Sequence, residues 1–260
     1  MDLHLKDKVI IVSGGSSGIG NGISHALARE GAIPFIVGRN ASTIATTISS
    51  IEAEGGKAGF GIAELTDPAQ CKQAVETCIE QLGRIDGLVN NAGVNDSISL
   101  EHGSYESFTR SIHRNLTHYY LMAHHSLPEL KKSKGAIVNI GSKTSVTGQG
   151  GSSGYAASNG GRNSLTREWA VELLPYSIRV NAVIVAECFT PMYEKWINSF
   201  PNSAEKLAEI TQNIPLEKRM TTTEEIANTV LFLLSDASSH TTGQLLFVDG
   251  GYAHLDRALK

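Results

Sequence analysis

Between the apolar run Val9–Val12 and a segment of helical periodicity starting at Gly18 lies Ser13-Gly14-Gly15-Ser16-Ser17-Gly18-Ile19-Gly20. Glycines let a backbone turn tightly and come close to a charged ligand. The N-terminus of a helix offers free N–H groups at the positive end of its dipole. Together Gly14, Ser16, Ser17, Gly18, Ile19 and Gly20 have the chemistry of a pyrophosphate cradle. Their strand–loop–helix setting is the one that a dinucleotide motif demands. The plain alternative is a tight turn without a ligand.

The elements that must position such a loop follow in regular alternation. Strands are expected at Val9–Val12, Ile33–Val37, Ala58–Ala63, Gly87–Asn90, Ala136–Ile140, Arg179–Val185 and Leu245–Val248. Helices are expected at Gly18–Glu30, Thr43–Glu54, Pro68–Leu82, Tyr105–Lys132, Tyr155–Leu174 and Thr223–Ser235. Pro68 suits a first helical turn, and Thr222 or Thr223 with the following glutamates suits a cap. Strands joined through helices make parallel neighbours. The fold class is therefore α/β: a single-domain, Rossmann-type, doubly wound parallel sheet of seven strands flanked by helices, over residues 1–260. The stretch 186–220 breaks the alternation. Its aromatic residues, Trp196 and Phe200 among them, mark it as a substrate lid.

Bulk properties exclude several classes. A formal net charge of −4 leaves no basic footprint for nucleic acid. No apolar run approaches the ~20 residues of a membrane span. The N-terminal run leads directly into the glycine loop, so it reads as a first strand and not as a secretory leader. The three cysteines, Cys71, Cys78 and Cys188, have no metal or redox spacing, and no histidine pair has the spacing of a zinc site. Ordinary thiols and a cytoplasmic location are expected, with no metal.

The spacing G-x-x-x-G-x-G resembles that of the short-chain dehydrogenase/reductase family, and the resemblance runs across the chain. Asn90-Asn91-Ala92-Gly93, Asn115, Ser142 with Tyr155, Arg179-Val180-Asn181-Ala182 and Asp249-Gly250-Gly251 match its successive signatures. The resemblance implies a nicotinamide cofactor held by the glycine loop, by Asn91, Ala92 and Gly93, and by Thr190 near the carboxamide. Glu64 stands where the family has an aspartate near the adenine. The second strand ends Val37-Gly38-Arg39-Asn40, with no carboxylate to repel a ribose 2′-phosphate and with Arg39 able to pair with one. The reading favours NADP, with NAD as the alternative.

The resemblance also implies the chemistry. Hydride transfer from a hydroxyl-bearing carbon needs a base for the hydroxyl proton. Tyr155 is that base, Ser142 bonds the substrate oxygen, and Asn115 holds a water in the proton path. The family's next member is a lysine four residues after the tyrosine, whose charge helps the phenol and whose ammonium holds the ribose. Here that position is Asn159, which can bond a ribose hydroxyl but carries no charge. A free tyrosine has a pKa of ~10, so the loss matters unless another cation replaces it. Arg162, on the same helical face, and Lys143 are the candidates. Arg162 is read as a surface residue of its helix.

The loops after the fourth, fifth and sixth strands should line the substrate site. They supply Asn95, Asp96, Lys143, Gln149 and Glu187, with Trp196 on the lid. A polar set of this kind suits a small hydroxylated substrate better than an acyl chain or steroid. Asn90–Asp96, Gly141–Thr144, Thr147–Gly150 and Ser239–Gln244 resemble the sugar-oxidising branch, L-fucose dehydrogenases in particular, which implies oxidation of an aldose to its lactone. The alternatives are a dinucleotide-binding protein without catalysis, because of Asn159, and a carbonyl or 3-oxoacyl reductase. His113, His118, His124 and His125 are expected at the surface or at a subunit interface, and the resemblance implies a homotetramer.

Overall fold

In the computed structural model, which describes residues 2–255, the alternation of strands and helices closes into one sheet. Its strands are β1 (Val9–Ser13), β2 (Ile33–Gly38), β3 (Gly59–Ile62), β4 (Gly87–Asn90), β5 (Ala136–Ser142), β6 (Arg179–Val185) and β7 (Leu245–Val248). They lie in the order β3-β2-β1-β4-β5-β6-β7, and every neighbouring pair is parallel. The helices are α1 (Gly18–Arg29), α2 (Ala41–Ala53), α3 (Pro68–Leu82), α4 (Tyr105–Ile112), α5 (His118–Ser133), α6 (Ser153–Glu172), α7 (Pro191–Ile197), α8 (Ser203–Gln212) and α9 (Thr223–Leu234).

Parallel strands covered on both faces read as continuous apolar runs, and β1 is buried at every position. Alternate side chains then feed two cores. Val9, Ile11, Phe35, Leu88 and Ile137 pack with Val75 of α3, Met122 of α5 and Trp169 of α6. Ile10, Val12, Val89, Val138 and Val183 pack on the other face with Ile23 and Leu27 of α1 and Val230 of α9. Capping follows the sequence signals. Asp67 accepts from Ala69 N ahead of Pro68, and Thr222 forms a reciprocal box with Glu225.

From β1 the chain runs outward through β2 and β3, then crosses back to β4. The strand order thus reverses between β1 and β4. Open α/β sheets bind ligands in the crevice outside the carboxyl ends of the strands at such a point. The glycine loop, Asn91–Gly93, Ser142 and Ala186–Glu187 all leave strands at this edge.

Two stretches differ from the periodicity. The helix expected over Tyr105–Lys132 is interrupted by a π-turn, His113–Thr117, between α4 and α5. A π-turn changes the hydrogen-bond spacing over a single turn, and the helical period alone does not disclose it. The stretch 186–220 carries two helices, α7 and α8. Thr190 caps α7 by accepting from Tyr193 N, with Pro191 at its first position. No helix among the described residues is long and apolar enough to cross a membrane.

Candidate active site

A cavity of about 1240 Å³ runs along the carboxyl edge of the sheet. It extends from Arg39 and Glu64, past Gly14 and Ser16–Ile19, to Ser142, Tyr155, Glu187 and Trp196. Sites for single drug-sized ligands span ~300–1000 Å³, so there is room for a dinucleotide with a small second molecule beside it.

The floor fits a dinucleotide. Gly14 has φ 67°, and a Cβ on Gly20 would lie 2.2 Å from the Gly14 carbonyl oxygen. Glycine at both positions keeps the loop pressed on the start of α1. Ser17 at the N-cap makes no side-chain cap bond, so the first-turn N–H groups stay available to a phosphate. Asn91 locks the loop to β4: its Nδ2 donates to Ser13 O at 2.9 Å, and its N donates to Ser13 Oγ at 2.9 Å. Ala92, Gly93 and Thr190 line the same cavity, whereas Gly20 is buried beneath it.

At the far end Arg39 Nη1 donates to Glu64 Oε2 at 3.1 Å. Partial burial raises the pKa of Glu64, but the Thr66 N–H, Arg39 and the Thr66 hydroxyl outweigh it and hold the carboxyl below its ordinary range. Asn40 is occupied as the N-cap of α2, accepting from Ser42 and Thr43 N.

At the chemical end Ser142 closes β5 and Tyr155 stands in the first turn of α6, both on the cavity wall. The residues around them depart from expectation in three places. Asn159 is fully buried and turned inward: its Nδ2 donates to Tyr155 O at 2.9 Å, and its Oδ1 accepts from Arg162 Nη1 at 3.0 Å. Both ends of its amide are bonded within the protein, and it does not line the cavity. Arg162 is not at the surface. It is 3% exposed and lines the cavity, because α6 packs that face against the π-turn and β5. Asn115 sits in the π-turn and not in a regular helix, with its carbonyl oxygen accepting from Arg162 Nε and Nη2. Its side chain accepts from Val94 N at 2.7 Å and donates to Ser111 O at 3.1 Å, fixing the loop after β4.

The substrate wall is polar. Lys143 and Glu187 form an ion pair with side chains only 11% and 13% exposed, and Lys143 Nζ lies 3.9 Å from the centre of the Tyr252 ring. Asn95, Gln149 and Trp196 line the same space. Asp96 does not: it accepts a hydrogen bond from Ser111 Oγ at 2.8 Å and braces the loop to α4. The sequence reading missed Arg114, His118 and Tyr252 on the wall. His118 is 1% exposed, against the expectation of a surface or interface residue. Burial, reinforced by the charge of Arg162, pushes its pKa down to about 3, so it is neutral. The turn that follows α4 carries this face inward, and only a break in the helix could have signalled it. His113 and His124 are exposed and His125 is half-buried. Burial raises all three thiols, Cys71 to about 11 and Cys78 and Cys188 to about 12, as befits structural cysteines.

Comparison with known proteins agrees with this arrangement. The family model described as enoyl-(acyl carrier protein) reductase matches residues 14–253. The 3-oxoacyl-[acyl-carrier-protein] reductase FabG of Thermotoga maritima is 36% identical over 250 residues, covering 96% of this chain and 99% of its own. The crystal structure of Cj0485 dehydrogenase superposes with a TM-score of 0.94 at 44% identity, over 100% of this chain and 99% of that one. The Thermoplasma acidophilum aldohexose dehydrogenase superposes with a TM-score of 0.88 at 30% identity, over 99% and 98%. With the fold, the cradle and the Ser–Tyr wall in place, the chain belongs to the classical short-chain dehydrogenase/reductase family of NAD(P)-dependent oxidoreductases.

Proposed function

We propose that the enzyme oxidises a hydroxyl of a small sugar, an aldose such as L-fucose, to the lactone. The observation that carries this reading is the Lys143–Glu187 pair on the substrate wall beside Ser142. A largely buried ion pair is costly to desolvate and offers both a donor and an acceptor. A substrate with several hydroxyls can satisfy both, while Trp196 offers an aromatic face to its C–H surface. The resemblance to aldohexose dehydrogenase points the same way.

In this reading Ser142 donates to the reacting oxygen and orients it. Tyr155 takes the hydroxyl proton as the C–H bond breaks. The nicotinamide, when bound, accepts the hydride. Gly14, Ser16, Ser17, Gly18 and Ile19 would hold the pyrophosphate, Gly93 and Thr190 the nicotinamide end, and Arg39 a 2′-phosphate in exchange for its bond to Glu64. NADP is therefore the proposed preference. The segment 186–220 serves as the lid. Buried free thiols suit a cytoplasmic enzyme, and exposed Tyr105, Phe108 and Tyr120 on α4 and α5 suit a subunit contact in a homotetramer.

A second reading runs the same residues in reverse, as a carbonyl or 3-oxoacyl reductase. It is favoured by the identity to FabG and by Phe189, Met192 and Trp196, which leave apolar surface exposed on the lid. Initial rates with a panel of aldoses, simple ketones and a 3-oxoacyl thioester, in both directions and with both cofactors, separate the two. Turnover of aldoses above the other classes supports the proposal, and turnover confined to the thioester overturns it.

A further inference from the structure

Arg162 stands two turns after Tyr155, on the same face of α6. Its Nε and Nη2 donate to Asn115 O at 2.8 and 2.5 Å. Its Nη1 donates to Ile140 O at 3.1 Å and to Asn159 Oδ1 at 3.0 Å. The guanidinium carbon lies 4.2 Å from the centre of the Tyr119 ring and 5.9 Å from that of Tyr155. A Cβ on Gly93 would come within 2.9 Å of Nη2, so the glycine after β4 clears the seat of this side chain.

All these bonds end on neutral oxygens, so the buried charge is not cancelled by a carboxylate at hand. Burying an ion is expensive unless it is well bonded, and four donor contacts with two ring faces meet that demand. Position 159 and Arg162 are bonded neighbours, so a cation at one bears directly on the other. A lysine at 159 would extend from the spot where Asn159 now accepts from Arg162, and would set two like charges together in a buried place.

We propose that Arg162 is a positioning residue that supplies, from one turn further along α6, the fixed positive charge that position 159 lacks, stabilising negative charge on the Tyr155 oxygen during proton transfer. The inference rests on the hydride-transfer reading of the site. The charge acts through space and through Asn159, whose amide links Arg162 Nη1 to the backbone of Tyr155. A guanidinium does not give up its proton in a protein, so Arg162 holds charge and relays no proton. It also donates to the Asn115 carbonyl oxygen, which ties α6 to the π-turn. The other titratable or charged groups facing this pair are Tyr119 and His118 of α5, Arg114 of the π-turn, Lys143 and Glu187 on the substrate wall, and Glu64 beyond them.

The test is a cycle of Arg162→Gln, Arg162→Lys, Asn159→Lys and the double variant Asn159→Lys/Arg162→Gln, read by kcat, KM, the pH profile of kcat/KM, and melting temperature without ligands. Arg162→Gln should lower kcat on the order of 10- to 1000-fold, the factor that a charge at this range is worth, and move the acidic limb of the profile to higher pH. KM for the sugar should change little, and Arg162→Lys should recover part of the rate. Asn159→Lys alone should lower both kcat and the melting temperature, whereas in the Arg162→Gln background it should raise kcat and leave the melting temperature unharmed. Wild-type kcat and profile in Arg162→Gln, or an Asn159→Lys effect on melting that is the same in both backgrounds, would overturn the inference. Absence of Tyr155-dependent turnover in the wild type would overturn the reading of the site instead, and the melting cycle would still decide whether the two positions share one cation.

Discussion

Arg162 Nη1 donates to Asn159 Oδ1 across 3.0 Å, joining the helix position where a lysine was expected to the nearest buried side chain that carries a charge. Three residues separate them, so they are neighbours on one face of α6. The relationship also shapes its surroundings. Tyr119 lies beneath the guanidinium with its hydroxyl donating to Ile140 O at 3.0 Å. Burial first, and the charge of Arg162 second, keep His118 neutral.

His118 sets an acid limit on the fold. Its folded pKa is depressed to about 3 from an ordinary 6.5. As pH falls through 6.5 the unfolded chain takes up a proton and the folded chain does not. The stabilisation is therefore complete above that pH and is lost towards pH 3, by about 1 kcal/mol for each unit. Denaturant unfolding of the wild type and of His118→Gln between these limits measures it. The difference between them should narrow as the pH falls, and curves that keep a constant offset would contradict it.

The Lys143–Glu187 pair should separate stability from recognition. Glu187→Gln leaves a largely buried cation without its partner and should destabilise by roughly 3 kcal/mol. KM for the sugar should rise about tenfold or more, with a smaller change in kcat, since in the proposed function the pair binds substrate and does not react. Replacing both residues by methionine should return much of the stability without restoring KM. Recovery of KM in that double variant would mean that the pair has no part in recognition.

Arg39 should decide between the cofactors. Arg39→Ala should raise KM for NADP about tenfold to a hundredfold, the worth of a charge-assisted bond to phosphate, and leave NAD nearly unchanged. Glu64→Gln should release Arg39 and strengthen NADP further, because the carboxylate now competes for the same guanidinium. Equal losses for both cofactors in Arg39→Ala would assign the residue to stacking instead.

The cradle was legible in the sequence because its requirements are local. Gly14 and Gly20 are demanded by a turn and by a helix start a few residues apart. The apolar runs of β1, β2, β5 and β6 announced a sheet covered on both faces for the same reason. What escaped depends on which face meets which neighbour. The i, i+7 relation of Tyr155 and Arg162 was plain, but only the packing of α6 against the π-turn and β5 buries the second residue. That turn is itself invisible in an unbroken helical stripe, so the inward swing of His118 and the exposure of the Asn115 carbonyl to Arg162 went with it. Asp96 stands beside Asn95 in a polar loop, and only the fold sends one to the cavity and the other to Ser111.

In the proposed function Tyr155 takes the proton of a sugar hydroxyl in this cavity. The most direct measurement is the initial rate of NADP reduction with L-fucose and related aldoses, wild type against Tyr155→Phe, with cofactor affinity measured in parallel. Turnover is expected in the wild type, with a loss of roughly a hundredfold to ten-thousandfold in Tyr155→Phe at unchanged cofactor affinity. Turnover that survives the loss of the phenol hydroxyl, or a wild type that binds NADP and oxidises no aldose, would contradict it.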